Sequence, residues 1–323
     1  MPITRRFMST ALLALAAAPA AAQAPYPARS ITMIVPYPPG GVNDVVARAY
    51  ADRMSQDLGV SVIVDNKAGA ATTLASNIAA KAAPDGYTIY AGGTSLVINP
   101  TLQGNVQYDP RKSFEPVSLM SVTPFILHVN AAFPPKDMKE LVAYVKANPG
   151  KFNIATSGLG AVNHMSAELF KSLLGLDIAV VPYRGGAQAG QDLAGGQAQM
   201  MFSAALEAVP LLQRGATRAL AISSGTRSAA FPDLPTVEEA LGIKGLATVF
   251  WQAMVVPAGT PKPVIEKLQA SIARIAGDPA MKAKFAQQGV ELQASTPQAL
   301  AELMASEEKR WSTLIKEKGI KAE

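Results

Sequence analysis

The chain has 323 residues, a formal charge of +5 from 29 basic and 24 acidic side chains, two histidines and no cysteine. Without cysteine it cannot form disulfides, thiolate nucleophiles or sulfur-ligated metal sites. The excess of base is mild, scattered and poor in accompanying aromatics, which argues against a polyanion-binding surface and so against nucleic acid as a partner.

Residues 1–22 read as a secretory signal: Arg5 and Arg6 give a basic start, Ala11 to Ala18 a short apolar core, and Ala20-Ala21-Ala22 small residues for cleavage. The apolar run is too short to span a bilayer and no later run qualifies, so the expectation is a cleaved, exported protein in a periplasm. The Arg5-Arg6 pair leaves Sec and twin-arginine export both open. Cleavage leaves 301 residues with 27 basic against 24 acidic side chains, a length that suits two lobes, each with its own core.

Ile31 to Val35 reads as a buried strand, Pro36-Tyr37-Pro38-Pro39-Gly40-Gly41 as a stiff turn, and Val42 onward as a helix whose Val42, Val46, Ala49 and Tyr50 share a face. Strand, glycine turn and helix start make an anion-binding arrangement. The first helical N–H groups lack intrahelical partners and stand at the positive end of the helix dipole. Asp44, in the first turn, is placed to hold such amides. Val60 to Val64 is a second strand, Thr72 to Lys81 a helix, and Tyr87 to Ala91 a third strand that runs at once into Gly92-Gly93-Thr94-Ser95. This alternation predicts a largely parallel sheet with ligands beyond the carboxyl ends of its strands.

Phe125 to Val129 begins a second lobe, followed by a helix from Met138 to Ala147. The first motif then repeats: Lys151 to Ala155 as strand, Thr156-Ser157-Gly158-Leu159-Gly160 as loop, and a helix carrying Met165, Leu169 and Leu173. It returns once more as Ile178 to Val181, the loop Pro182-Tyr183-Arg184-Gly185-Gly186, and a short helix from Ala187 stopped by Gly195-Gly196. Gln199 to Phe202 is a further strand that opens onto Ser203. Val249 to Val256 leads back toward the first lobe, and helices begin at Pro261, at Asp278-Pro279 and at Thr296-Pro297. The last has an apolar stripe, Leu300, Leu303, Met304, Trp311, Leu314 and Ile315, that reads as core packing.

Groups for catalysis are sparse. His128 sits in an apolar strand as a core residue, while His164, in the first turn after the second glycine loop, could line a cleft. No His/Glu pair has metal-binding spacing, no Gly-x-Ser-x-Gly elbow occurs, and no glycine loop continues as Gly-Lys-Ser/Thr. The expectation is a non-enzymatic binding protein with no cofactor and no metal, a two-lobed clamp for a small anion.

An ordered set of motifs carries a resemblance. Val35 to Gly41 with Asp44 and Ala47-Arg48, Pro84-Asp85-Gly86-Tyr87-Thr88, Thr156-Ser157-Gly158 with His164, Val181 to Gly185, Asp192-Leu193 with Gly195-Gly196, Pro232-Asp233-Leu234-Pro235-Thr236 and Pro257-Ala258-Gly259-Thr260-Pro261 resemble the motif series of the tripartite tricarboxylate transporter receptors, also called Bug proteins. The resemblance spans the mature chain. It implies an α/β, two-lobed type II periplasmic-binding-protein (Venus-flytrap) fold, each lobe a mainly parallel sheet flanked by helices, with residues 23–124 and 250–323 as lobe 1 and 125–249 as lobe 2. It also implies a monomeric receptor that holds a small carboxylate and delivers it to integral-membrane transporter subunits. The alternative is a carboxylate sensor acting on a membrane signalling partner.

Carried over by position, the ligand contacts would be Tyr37, Pro38, Pro39, Gly40, Gly41, Asp44, Thr94 and Ser95 from lobe 1. From lobe 2 they would be Ser157, Gly158, Gly160, Asn163, His164, Tyr183, Arg184, Gly185, Gly186 and Ser203. Ser203 stands where relatives commonly place an aspartate, which implies ligands without an ammonium group. Ala70-Ala71-Thr72 replaces a more glycine-rich run.

Overall fold

The computed structural model describes residues 25–321, so the export signal read from residues 1–22 lies outside the described residues. Strand β1 (Ile31–Val35) passes through the proline-glycine turn into helix α1 (Val42–Leu58). Strand β2 (Val62–Asn66) leads through a 3-10 turn at Ala70–Thr72 into α2 (Thr73–Ala80), and β3 (Thr88–Gly93) runs almost directly into α3 (Ser95–Gln103). β1 lies between β2 and β3 and is parallel to both. Ile31, Met33, Ile34 and Val35 are all buried, as a strand covered on both faces requires.

Strand β4 (Phe114–Asn130) is 17 residues long, where the sequence reading begins a strand only at Phe125. Pro116 and Pro124 argue against a strand because proline cannot donate to a ladder. Pro116 sits at a slip in the pairing, which shifts between Pro116 and Ser118 and again between Leu119 and Ser121, and Pro124 is the last residue paired with β9 before β4 changes partners. Then follow α4 (Met138–Lys146), β5 (Asn153–Thr156), α5 (Val162–Leu174), β6 (Ala179–Pro182), α6 (Gly186–Ala194), β7 (Met200–Ala204), α7 (Ala205–Gln213) and β8 (Thr217–Ile222). The chain ends with α8 (Val237–Leu241), β9 (Val249–Pro257), α9 (Lys262–Gly277), α10 (Pro279–Ala286), β10 (Glu291–Leu292) and α11 (Pro297–Lys318). Among these, α3, α7, β8, α8 and β10 are absent from the sequence reading. Proline inside α3 (Pro100) and α7 (Pro210) hides two of them, since it removes a backbone donor from a helix interior.

The strands run β2-β1-β3-β9-β4-β7-β5-β6, with β8 and β10 also paired to β4. β4 changes partners along its length. Through Pro124, opposite Val249, it pairs with β9; from Phe125 onward it pairs with β7 and β8. One continuous strand therefore belongs to two sheets, and β9 returns the chain to the first. Trp251 of β9 and Trp311 of α11 are both fully buried, and both indole N–H groups donate to Glu307 Oε2, at 3.4 and 2.9 Å. That shared acceptor fastens the last helix across β9. No helix among the described residues is long and apolar enough to cross a membrane.

Candidate ligand-binding site

In the first lobe the turn after β1 is locked from behind. Asp44 Oδ2 accepts from the Gly40 amide and from Arg48 Nε, both at 3.0 Å, and its Oδ1 accepts from Asn66 Nδ2 at 2.8 Å. Asn66 also donates to the Tyr37 carbonyl at 3.0 Å. Burial works against ionisation of Asp44, but the bonds from Arg48, Gly40 and Asn66 outweigh it and hold the carboxyl below its usual range. Gly40, at φ +89°, supplies the left-handed backbone that lets the turn fold onto this carboxylate. Behind the helix start, Gln252 of β9 donates to the Asn43 carbonyl at 3.1 Å and accepts from Ser121 Oγ at 2.9 Å. The β4–β9 pair thus fixes where α1 begins.

In the second lobe Asn163 performs the same service for the loop after β5. Its Oδ1 accepts from the Ser157 hydroxyl at 2.8 Å and the Ser157 amide at 3.3 Å, and its Nδ2 donates to the Phe202 carbonyl at 3.0 Å. Gly160, at φ +69°, lies against Asn99 so closely that a Cβ there would stand 2.1 Å from Asn99 Oδ1. The residues that precede α1, α5 and α6 are Gly41, Ala161 and Gly185, and none makes a side-chain cap. Three helix starts thus keep amides for something other than a protein side chain.

These three starts converge on a cavity of about 90 Å³. Of the contacts expected from the sequence, Tyr37, Pro38, Pro39, Gly41, Ser157, Asn163, Gly185 and Gly186 line it. Gly158, Tyr183 and Arg184 line an outer, more open groove that shares Tyr37, Pro38, Ser157 and Ala161 with the cavity. The other expected contacts stand elsewhere. Gly40 and Asp44 build the turn, and Thr94 Oγ1 accepts from the Trp251 amide at 3.3 Å. Ser95 Oγ lies 3.2 Å from the Tyr37 hydroxyl and supports it from behind. Gly160 packs against Asn99. His164 is buried outside the cavity lining, and burial lowers it to about 4, so it stays neutral. Ser203 points to His128, whose Nε2 is 2.7 Å from its hydroxyl while Nδ1 is 3.1 Å from Thr217 Oγ1. Burial lowers His128 to about 3. Alternation along β7 turns Ser203 away, and the next residue, Ala204, is the one that lines the cavity.

Two lining residues are absent from the sequence reading. Asn43, only 2% exposed, has no hydrogen-bond partner for either Oδ1 or Nδ2 among the described residues. Glu207, in the first turn of α7, brings a carboxylate into the cavity, and among the described residues no hydrogen bond stabilises it; burial raises it to about 7. Among the described residues no lysine, arginine or histidine lines the cavity. Tyr37 is pushed upward too, first by burial and then by the nearby Glu207 charge, against the bond to Ser95. Both residues carry a signal in retrospect. Asn43 sits between Gly41 and Asp44, and Met200 to Glu207 is again a strand passing into a helix start. Among the described residues no group of three or more His, Cys, Asp or Glu could hold a metal.

Residues 46–320 match the profile of the tripartite tricarboxylate transporter family receptor. The protein BugT of Bordetella pertussis is 36% identical over 321 residues, which is 98% of this chain and 96% of BugT. Among solved structures, the periplasmic binding protein BugD superposes with a TM-score of 0.86 at 36% identity, covering 92% of this chain and all of BugD. MatC from Rhodopseudomonas palustris, solved with bound malate, gives 0.84 at 34% identity over 90% of this chain and 100% of MatC. The matched length, the two-lobed α/β fold and the three helix starts agree, and the chain belongs to the family of tripartite tricarboxylate transporter receptors.

Proposed function

We propose that this protein is a periplasmic receptor that takes a small organic carboxylate into the cavity between its lobes and delivers it to a membrane transporter of tripartite tricarboxylate type. On this reading residues 1–22 direct export, the mature chain is a monomer, and the lobes divide where β4 changes partners, with residues 23–124 and 250–323 in one and 125–249 in the other. The observation that carries the reading is the convergence of three helix starts without side-chain caps on a cavity to which the described residues bring no basic side chain. An anion there is held by amides fixed before it arrives, with Tyr37 as a hydroxyl donor. Charge-assisted hydrogen bonds of this kind contribute about 1.5–3 kcal/mol each, and preorganised donors lose little entropy on binding. The malate in MatC is a ligand of the same chemistry. On this reading the protein acts as a carrier.

The test is mass spectrometry of ligand released from protein purified without denaturation, followed by thermal-shift screening of mono-, di- and tricarboxylates. A released carboxylate that also raises the melting midpoint supports the reading. Stabilisation by sugars or nucleotides, with none by carboxylates, overturns it. Delivery is tested by uptake in cells with and without the membrane transporter subunits; uptake that needs the receptor but not those subunits overturns that part.

A further inference from the structure

Resting on the carboxylate reading, we propose that Glu207 determines specificity and that the ligand is an aminocarboxylate, whose ammonium group meets Glu207 while its carboxylate meets the helix starts. The geometry is specific. Glu207 projects from α7 against Gly186, the first residue of α6, and a Cβ at position 186 would stand 2.4 Å from each carboxylate oxygen. The missing side chain at Gly186 is therefore what admits the carboxylate. The same oxygens lie close to the start of α1, since a Cβ at Gly41 would be 3.8 Å from Oε1. Glu207 thus faces both lobes from inside the ligand cavity.

A partly buried carboxylate with no hydrogen-bond donor and no countercharge is costly unless it is protonated or the ligand supplies the donor. Among the described residues the only other titratable side chain lining the cavity is Tyr37, a phenol that burial keeps neutral, so none of them brings a cation to Glu207. His128 on the neighbouring β4 is turned toward Ser203 and Thr217. A ligand with a second carboxylate would place like charges together in this space. An aminocarboxylate balances them. Asn43 fits the same ligand: its buried side-chain amide can donate to a carboxylate and accept from an ammonium group, and neither atom has another partner among the described residues. Where Ser203 offers no acid, Glu207 offers one four residues on, in the first turn of α7 and lining the cavity, so an ammonium-bearing ligand is proposed in place of the ammonium-free one expected from Ser203.

The experiment is calorimetric titration at pH 8 with pairs that differ only by the amine: aspartate and succinate, glutamate and glutarate, alanine and propionate. The wild-type protein should bind the amino member of at least one pair tenfold or more tightly than its partner. Glu207→Gln should bring that ratio to threefold or less while binding of the plain carboxylate persists, and Glu207→Asp should retain part of the preference and serves if the glutamine variant does not fold. A wild-type preference for the plain acids, or a ratio unchanged in Glu207→Gln, overturns the assignment and leaves the carboxylate reading standing. If wild-type protein binds neither series, the carboxylate reading falls and this inference with it.

Discussion

Glu207 puts an ionisable group where the fold gives it no partner, and that has a consequence even without ligand. Its carboxyl is raised from 4.5 to about 7, so the folded chain holds this proton more tightly than the unfolded chain does. The resulting stabilisation is complete below about pH 4.5 and is lost as pH rises through about 7. Each tenfold difference in proton affinity between the two states corresponds to about 1.4 kcal/mol, so the wild type should lose up to about 3 kcal/mol over that window relative to Glu207→Gln. Urea unfolding of both proteins from pH 4.5 to 8 measures the difference. Parallel profiles would mean that water solvates the carboxylate. Arg184 is the contrasting residue: it is exposed in the outer groove, and exposed ion pairs contribute only about 0–1 kcal/mol. Arg184→Ala should therefore weaken ligand binding about tenfold or less, equivalent to about 1.4 kcal/mol. A larger loss in calorimetric titration would place a guanidinium salt bridge at the centre of recognition. Glycine-led helix starts were legible in the sequence because backbone recognition leaves a residue-type signature. Asn43 and Glu207 were not, because an amide or carboxylate near a helix start looks the same whether it braces the preceding turn, as Asp44 does, or turns into a cavity.

Repeated strand–loop–helix units were likewise readable where apolar runs and glycine loops alternate, as in β1–α1, β5–α5 and β6–α6. The segments around α3, α7 and the first half of β4 were not, because local proline chemistry argued one way and tertiary pairing decided the other. The Ala70–Thr72 turn shows a departure that was visible in the sequence but whose meaning was not. Ala70, Ala71 and Thr72 have φ of 44°, 53° and 75°, three consecutive non-glycine residues in the left-handed region. Asn99 holds them there, donating to the Ala71 carbonyl at 2.6 Å and to Thr72 Oγ1 at 3.0 Å. A left-handed conformation costs an L-residue with a Cβ roughly 1–2 kcal/mol, and glycine escapes that cost. After allowance for glycine's greater freedom in the unfolded chain, Ala71→Gly should stabilise the protein by about 0.5–1 kcal/mol. This runs against the usual direction of alanine-to-glycine changes. A denaturant midpoint that falls in the variant would show that the backbone does not need the left-handed form.

At the scale of the molecule, the two lobes are joined by more than a hinge. β4 is a single strand in both sheets, and one contiguous apolar cluster includes Ile31 and Trp311 from the first lobe with Leu141 and Phe170 from the second. Lobes built this way have no independent reason to unfold at different temperatures. The chain should therefore melt in one cooperative transition, with calorimetric and van't Hoff enthalpies in agreement. The cavity is lined from both sides, by the α1 start and Phe250 on one and by the α5 and α6 starts on the other, so a bound ligand stabilises the whole cooperative unit. At 100 times its dissociation constant it adds about 2.7 kcal/mol. For a chain of this size that corresponds to a rise of a few degrees in the midpoint of the single transition. Differential scanning calorimetry with and without saturating ligand separates the alternatives. Two transitions, of which ligand moves only one, would show that the β4 and β9 connections transmit no stability between the lobes and that the ligand engages one lobe alone.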